Sequence, residues 1–573
     1  MKTILVQTIF LFCVALIIPK TTHSQNIPAM NKTNPSLHHE VPGDPYMPNA
    51  SNPPKTSPSF HYKSSGIFTT QVNVSAGQQN IMGDAANEPS IAVDASNPAR
   101  MVIGWRQFDN VNSNFRQAGY AYTADSGLTW TFPGVLEPTI FRSDPVLDYD
   151  TAGNIYYNSL TLDNLSQQYL CKVFISTTGG STWSIGTDAH GGDKQWMTID
   201  KHPGTGEGNI YSAWNSYYSS CAPWFCTRSE DEGGSFENCV FVDGVPYWGT
   251  MTVGPDGELY ITGSNGGGNG LIISKSTNAK NPGSTISWDF SNQINMDGNL
   301  SGQSQINLVG LLGQAYVDVD RSNGTGRGNV YVLASMERIS TGDPGDVMFS
   351  RSTDGGSTWS SPLCINDDPS NSNYQWLGTM SVAPSGRIDA VWLDTRDAPA
   401  TSPHLSALYY SYSMDQGATW SMNEKLSESF NPHVGYPQQN KMGDYFHMQS
   451  DDNGAHLAWC NTLNNEEDVY YSHIIPGILG IDNQNKKAED VIISCYPNPF
   501  SDNAIIRYKT TLSGPVKIDI CNLYGEVIAT IVNKYQSAGS YNAEFVGKSL
   551  ATGFYICRIN SGNITKTVRM VKI

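Results

Sequence analysis

Short stretches in which apolar and polar residues alternate recur along the chain and end at or near an acidic residue. Seven copies are evident: Pro89–Asp94, Pro145–Asp150, Gln195–Asp200, Gly249–Gly254, Ala315–Asp320, Gly378–Ala383 and Phe446–Asp451. Their last residues are spaced 56, 50, 54, 66, 63 and 68 apart. Alternation with period two marks a strand with one face turned inward. A turn follows, usually with glycine (Gly153, Gly208, Gly257, Gly328, Gly386, Gly454), and then a second strand that in four units ends in tryptophan (Trp105, Trp214, Trp392, Trp459). A third strand leads into a tight turn and a fourth closes the unit. No stretch carries apolar residues at helical spacing between caps. The chain therefore reads as all-β, built on one repeated unit that must stack on its neighbours to bury its faces. The seventh unit lacks a fourth strand. Residues 68–75 alternate like the closing strands at 361–366 and 423–427, so this N-terminal strand is expected to complete it and join the ends of the ring.

The tight turn reads Ser/Thr-x-Asp-x-Gly-x-Thr-Trp. Full copies are Ser352-Asp354-Gly356-Thr358-Trp359 and Ser413-Asp415-Gly417-Thr419-Trp420, with Thr123-Asp125-Gly127-Thr129-Trp130 close to them. Ser229-Asp231-Gly233-Ser235-Phe236 is a variant, and Ser176-Gly180-Thr182-Trp183 has Thr178 in place of Asp. The fourth unit keeps only Ser276 and, after an insertion, Ser287-Trp288. Asp accepts backbone N–H groups in such a turn, Gly takes the positive φ, and Trp packs between neighbouring units. This pattern resembles the Asp-box (BNR) repeat of sialidase-like propellers over about 410 residues, 67–476. The resemblance implies a β-propeller, seven-bladed by the count of first strands, with the six blades of sialidases as the alternative. It also implies that the box aspartates are structural and lie away from the active face.

Residues 491–573 form a separate unit. Tyr496–Phe500, Ala504–Tyr508, Val516–Ile520, Asn522–Ile528, Ala538–Tyr541, Leu550–Ile559 and Thr567–Ile573 follow in an order that resembles the type A sorting domain of the type IX secretion system. That resemblance implies a small C-terminal β-sandwich acting as an export signal, with the type IX machinery as its partner. At the other end, Lys2, the apolar run 3–18 and small Thr22 and Ser24 before Gln25 read as a signal peptide over 1–24. No cysteine at the cut suggests a lipid anchor, and no other segment is apolar enough to span a bilayer. Residues 25–66 read as a flexible leader and 477–490 as a linker. The expected destination is the cell surface or the medium, by way of the periplasm and outer membrane.

Net charge is −18, and losing Lys2 and Lys20 with the signal takes it to −20. An acidic surface argues against nucleic acid and anionic membranes as partners. Of ten cysteines, nine remain after the signal. Cys226 and Cys239 flank one turn symmetrically, and a disulfide between them is expected. The 11 histidines are scattered and no zinc-type CxxC occurs, so neither metal nor cofactor is expected.

In a propeller the loops before the first strand and after the second share one face around the central channel. Before the first strands stand Glu88, Asp144, Asp193, Trp248, Gln314, Trp376 and Asp444, and after the second strands Arg106, Asp109, Asn215, Arg338, Asp394, Arg396, Asp397 and Asn461, with Arg142 nearby. Trp faces stack on sugar rings, Arg binds carboxylate or sulfate, and paired carboxylates serve as acid and base. The catalytic candidates are thus Glu88, Asp144, Asp193 and Asp444, and the ligand-binding candidates Arg106, Arg142, Trp248, Trp376 and Arg396. The structural alternative is that these acids hold neighbouring blades together and that Arg396 is paired between Asp394 and Asp397. Sialidases carry an arginine triad and an early Phe/Tyr-Arg-Ile-Pro motif. Here Phe141-Arg142-Ser143-Asp144-Pro145 stands instead, after the first box, which disfavours exo-sialidase activity. The expected function is an exported propeller that binds or hydrolyses extracellular glycans; the alternative is a non-catalytic interaction or adhesion module.

Overall fold

The computed structural model describes residues 44–477 and 491–573, apart from 65, 164–165, 167, 266–269, 511–512, 523–524, 538 and 562–563. The signal peptide and most of the linker lie outside the described residues. Among the described residues there is no α-helix, only strands, turns and a short 3-10 turn at Ser216–Tyr218.

Seven antiparallel sheets follow one another, each opened by one of the repeated first strands. These are Ala85–Val93, Ser143–Tyr149, Trp196–Ile199, Met251–Val253, Tyr316–Val319, Gln375–Val382 and His447–Ser450. In the first sheet the order along the chain is also the order in space: Ala85–Val93, Met101–Phe108, Gln117–Thr123, Thr131–Val135. Ala85–Val93 and Gln375–Val382 are wholly buried, as strands covered on both faces must be, whereas His447–Ser450 is half-buried except at Met448.

The seventh sheet is completed from the other end of the chain. Ile67–Gln71 pairs antiparallel with Asp468–Ile474, Ile67 opposite Ile474 and Gln71 opposite Tyr470. The N-terminal strand thus lies where its alternation placed it. The leader does not stay free throughout, however. His61–Lys63 adds a further strand to that sheet, and Thr56–Pro58 pairs with Gln79–Ile81.

Neighbouring sheets are tied by a repeated polar bond. A side chain four or two residues before the end of one first-strand repeat accepts a backbone N–H of the next. Ser90 Oγ takes Leu147 N–H at 2.8 Å, and Asp148 Oδ2 takes Ile199 N–H at 2.8 Å. Thr250 Oγ1 takes Val317 N–H at 3.0 Å, Asp318 Oδ2 takes Val382 N–H at 2.8 Å, and Ser381 Oγ takes Ser450 N–H at 2.9 Å. Gln449 Oε1 then takes Val93 N–H at 2.8 Å, linking the seventh sheet back to the first. Each bond satisfies a buried donor that a strand edge would otherwise leave open.

The box turns fold as their residues dictate. At Asp354, the Thr358 hydroxyl donates to Oδ2 at 2.6 Å, and the Thr358 N–H and Ser352 hydroxyl both donate to Oδ1 at 2.8 Å. These donors, the Thr358 hydroxyl foremost, hold the Asp354 carboxyl down at about 2. Gly127 has a φ of 80°, and a Cβ there would meet the Tyr471 ring at 2.3 Å. The box tryptophans pack on the preceding sheet: Trp130 lies 5.5 Å from Tyr471, and Trp420 lies 5.0 Å from Phe349.

The disulfide joins Cys221 to Cys239, not Cys226 to Cys239. Cys226 bridges Val240, one residue beyond Cys239, and its thiol is buried. A one-residue shift in register turns the side chain to the other face of the sheet. Cys221, in the loop before the strand, reaches Cys239 instead, with Cα atoms 6.4 Å apart.

The C-terminal unit has two antiparallel sheets. One orders Val491–Tyr496, Asn503–Thr510 and Gly539–Val546; the other orders Val527–Gln536, Gly514–Cys521, Gly553–Ser561 and Ile564–Lys572. Ile506, Tyr508 and Phe545 from the first share a buried cluster with Ile518, Ile520, Ile559 and Met570 from the second.

Candidate functional site

Six residues before the last residue of the repeated first-strand segment, the backbone turns left-handed. Glu88 (φ 50°), Asp144 (47°), Lys194 (57°), Trp248 (57°) and Leu377 (52°) all occupy this position. A left-handed non-glycine residue costs roughly 1–3 kcal/mol and persists only where packing over-determines it. The ladders are interrupted there, with register shifts between Asn87 and Ser90 and between Trp376 and Thr379. Such a bulge re-aims the side chain it carries.

The result is a cluster of charges at the rim where the first strands begin. All four candidate carboxylates belong to it. Lys194 Nζ lies 2.7 Å from Asp444 and 3.8 Å from both Asp144 and Asp193. Lys441 Nζ lies 2.6 Å from Asp444 and 3.1 Å from Glu88, and Arg106 lies 3.1 Å from Glu88. Every one of these groups is buried. Burial pushes the Glu88 and Asp193 carboxyls up to about 7. Burial alone would raise Asp144 too, but Lys194, then Arg106 and Lys441, hold it below its ordinary value.

A loop reaches this rim. The Asn307 amide donates to Gly443 O at 2.8 Å, and Leu311 N–H donates to Asp444 Oδ1 at 2.8 Å. The segment between the fourth and fifth sheets thereby reaches across to the seventh. Sequence reasoning missed Lys194 and Lys441. The usable signal was repeat register, since Lys194 occupies the position of Glu88 and Asp144.

The ligand-binding candidates are also engaged. Arg142 donates to Glu137, with its Nε at 3.0 Å, and to Ser159 O at 3.1 Å, and it lies over the Phe174 ring. Trp376 is buried in a hydrophobic cluster and donates to Ser406 Oγ at 3.2 Å. Trp248 is buried against Tyr247, 5.1 Å between ring centroids. Arg396 bonds Asp394 Oδ2 from Nε at 2.9 Å, reaches Asp367, and stacks over Tyr409. Each of these side chains is committed within the fold as it stands.

A cavity of about 580 Å³ runs along the first strands of the second to seventh sheets and reaches the turns where they end, at Lys201, Arg321 and Pro384. The box turns share this end: Val319 pairs with Val330 and Val330 with Ser352, so first and third strands end together. Trp196, Tyr149 and Tyr316 line the cavity, with Lys201, Arg321 and Arg327 towards its mouth. Its only carboxylates among the described lining residues, Asp148 and Asp318, are both committed. Asp148 accepts Lys201 at 2.7 Å as well as Ile199 N–H. Asp318 accepts Arg321 at 2.8 Å and Val382 N–H.

His447 also lines the cavity. Its Nδ1 accepts Ile91 N–H at 3.2 Å, which puts the proton of the neutral ring on Nε2. Burial lowers its pKa to about 4. Because the unfolded value is about 6.5, the unfolded chain binds the proton first, and stability falls as pH drops from about 6.5 to about 4. The His447 ring is expected to titrate near pH 4 by NMR, and His447→Gln to flatten the acid limb of the stability profile. A titration near 6.5 would mean that the tie to Ile91 is not made.

Comparison with known proteins bears mainly on the last unit. Residues 494–573 match the secretion system C-terminal sorting domain. The protein is exported, to the cell surface or the medium, and the type IX secretion machinery handles this sorting domain. Among the described residues no helix is long and apolar enough to cross a membrane. No curated protein sequence matches the chain. Solved structures similar to it include a protein of unknown function from Dyadobacter fermentans, 13% identical over 72% of this chain and 100% of that one, TM-score 0.40. The Hadza microbial sialidase is 13% identical over 68% of this chain and 66% of that one, TM-score 0.35. The Trypanosoma rangeli sialidase is 10% identical over 90% and 89%, TM-score 0.37.

Proposed function

We propose that the seven sheets are the blades of one closed propeller, that the C-terminal unit is a β-sandwich, and that the exported propeller binds an anionic extracellular saccharide without hydrolysing it. The ligand enters the cavity at the rim where the first strands end. The observation that carries this reading is charge: three cations, Lys201, Arg321 and Arg327, face two carboxylates in the cavity lining, within a chain of net charge −18. Arg327 donates to Pro255 O at 3.0 Å and stands 3.5 Å from Asp256, with 40% of its side chain exposed. It is the charge most available to a carboxylate or sulfate. Tyr149, half-buried in the same lining, offers an aromatic face of the kind that sugar rings need.

Hydrolysis by paired carboxylates needs an acid and a base that are both accessible. Asp148 and Asp318 are occupied by Lys201, Arg321 and the backbone, and Glu88, Asp144, Asp193 and Asp444 are all buried, Asp444 with Leu311 N–H of the 301–312 loop bound to it. This favours binding over turnover. The test is an array of uronic, sulfated and sialylated oligosaccharides, run with a reducing-sugar assay on the same compounds. Binding is expected, weakened at least tenfold by Arg327→Ala, with no sugar released. Release of sugar, or binding indifferent to Arg327, would sink the proposal.

A further inference from the structure

We propose that Asp451, His456 and His473 form a binding site for a divalent metal ion, zinc first among them. The three stand at the end of the seventh sheet. His456 and His473 are direct cross-strand partners, and Asp451 closes the first-strand repeat beside them. Each offers one ligand atom, and all three atoms lie within 4.8 Å of one another. The imidazoles stack with centroids 4.8 Å apart and planes 17° apart.

The hydrogen bonding leaves the metal-facing atoms unsatisfied. Nε2 of His456 and Nε2 of His473 are both buried and have no hydrogen-bond partner. His456 as a whole is 5% exposed. Its Nε2 stands 3.4 Å from Asp451 Oδ2. Two ligand atoms of one tetrahedral zinc ion, with bonds of about 2.0–2.2 Å, lie about 3.4 Å apart. The separation is thus long for a hydrogen bond and right for a shared ion.

The surroundings fit the same reading. The other nitrogen of His456, Nδ1, lies 2.8 Å from the Tyr471 hydroxyl, the kind of outer partner that orients a ligating imidazole. Asp451 Oδ1 is used by the turn, accepting Asn453 N–H at 2.7 Å and Gly454 N–H at 2.8 Å. Besides His456 Nε2, Oδ2 meets the Asn453 amide at 3.5 Å. A Cβ at Gly454 would meet the Ile474 carbonyl at 2.3 Å and His473 Nε2 at 2.7 Å, so the close strand pairing that requires this glycine also leaves space beside that nitrogen. Arg387 is held by Asp389 at 3.0 Å and, of Asp451, bonds the backbone carbonyl at 2.7 Å.

Comparison of the repeats sharpens the point. Asp94, Asp150, Asp200 and Asp320 hold the same position, and each accepts, at 2.8–3.0 Å on Oδ1, the N–H two residues on. The second oxygen of Asp94 meets Arg100, and that of Asp150 meets Asn154 and Tyr156. In the seventh repeat it meets a pair of histidines. Two nitrogens and a carboxylate oxygen leave a fourth position for water, the donor set of a zinc site open on one side.

The experiment is calorimetric titration of chelator-treated full-length mature protein with zinc chloride. One equivalent is expected to bind at micromolar concentration or tighter. His473→Ala should weaken it at least 100-fold. Tyr471→Phe, which removes only a hydroxyl, should weaken it about tenfold. X-ray absorption of the zinc-loaded wild type should give two imidazoles and one carboxylate, a readout that needs no variant to fold. Absence of stoichiometric binding overturns the site. So does binding that survives both substitutions, for example at His38 and His39, or a shell without two imidazoles.

Discussion

Replacing Lys194 by methionine is expected to cost about 3–5 kcal/mol, because it removes one partner from a buried ion cluster and leaves the others charged. Asp144, Asp193 and Asp444 all lie within 3.8 Å of its ammonium. Without it Asp144 and Asp193 lose the cation 3.8 Å from each and must take up protons or stay charged in a buried site, while Asp444 keeps Lys441 at 2.6 Å. Asp193 already sits at about 7 because burial raises it. Losing a cation pushes such carboxyls further up. A carboxyl raised in the folded state contributes stability at low pH that is lost as pH rises through its folded value. The deficit of Lys194→Met should therefore be smaller at pH 5 than at pH 8, measured by urea denaturation. Asp444→Asn in the same chain should recover part of the loss, since the two groups touch. An equal deficit at both pH values would show that Lys194 acts by packing alone.

Deleting the N-terminal strand should be more damaging still. A chain that begins at residue 77 loses Ile67–Gln71, which covers the outer edge of Asp468–Ile474 through five register pairs. It also loses the Val72 N–H bond to Val469 O at 2.8 Å and the Thr70 hydroxyl that receives the Trp130 indole at 3.1 Å. Ile67, Val72 and Val74 leave the core with it. Ladder bonds at about 0.5–1.5 kcal/mol each, together with this buried apolar surface, match the ~5–15 kcal/mol that holds a typical domain together. The shortened chain is expected to be insoluble or to melt at least 10 °C lower. A chain beginning at residue 44 keeps every described contact and should melt like the mature protein. Equal melting of the two chains would mean that the N-terminal strand does not close the seventh sheet.

Strand positions were legible in the sequence because a period of two and a repeated turn are local properties. Each first strand was visible from its own six residues, and the Asp354 turn from its own eight. The N-terminal strand could be assigned to the last sheet because the seventh repeat lacked a strand and residues 68–75 had the pattern of one. The sorting domain was legible for the same reason, as ordered strands in one contiguous segment.

What the sequence by itself determined, then, is the all-β repeat, its closing strand and the route of export; the tertiary structure decided where chemistry is possible. Glu88, Asp144, Asp193 and Asp444 meet around Lys194 and Lys441 in one buried cluster, and Asp444 is bound by the 301–312 loop, a contact between residues 133 apart at Leu311 and Asp444. Lys194 and Lys441 neutralise them only because left-handed residues and a distant loop bring both lysines into one buried space. Cys239 misses Cys226 by a single step of register. His456 and His473, unremarkable among 11 scattered histidines, become neighbours through a strand pairing. Periodicity reports which face of a strand a residue occupies. Burial, pairing and accessibility are set by what lies across that face, and where sheets pack on one another that partner comes from a distant part of the chain.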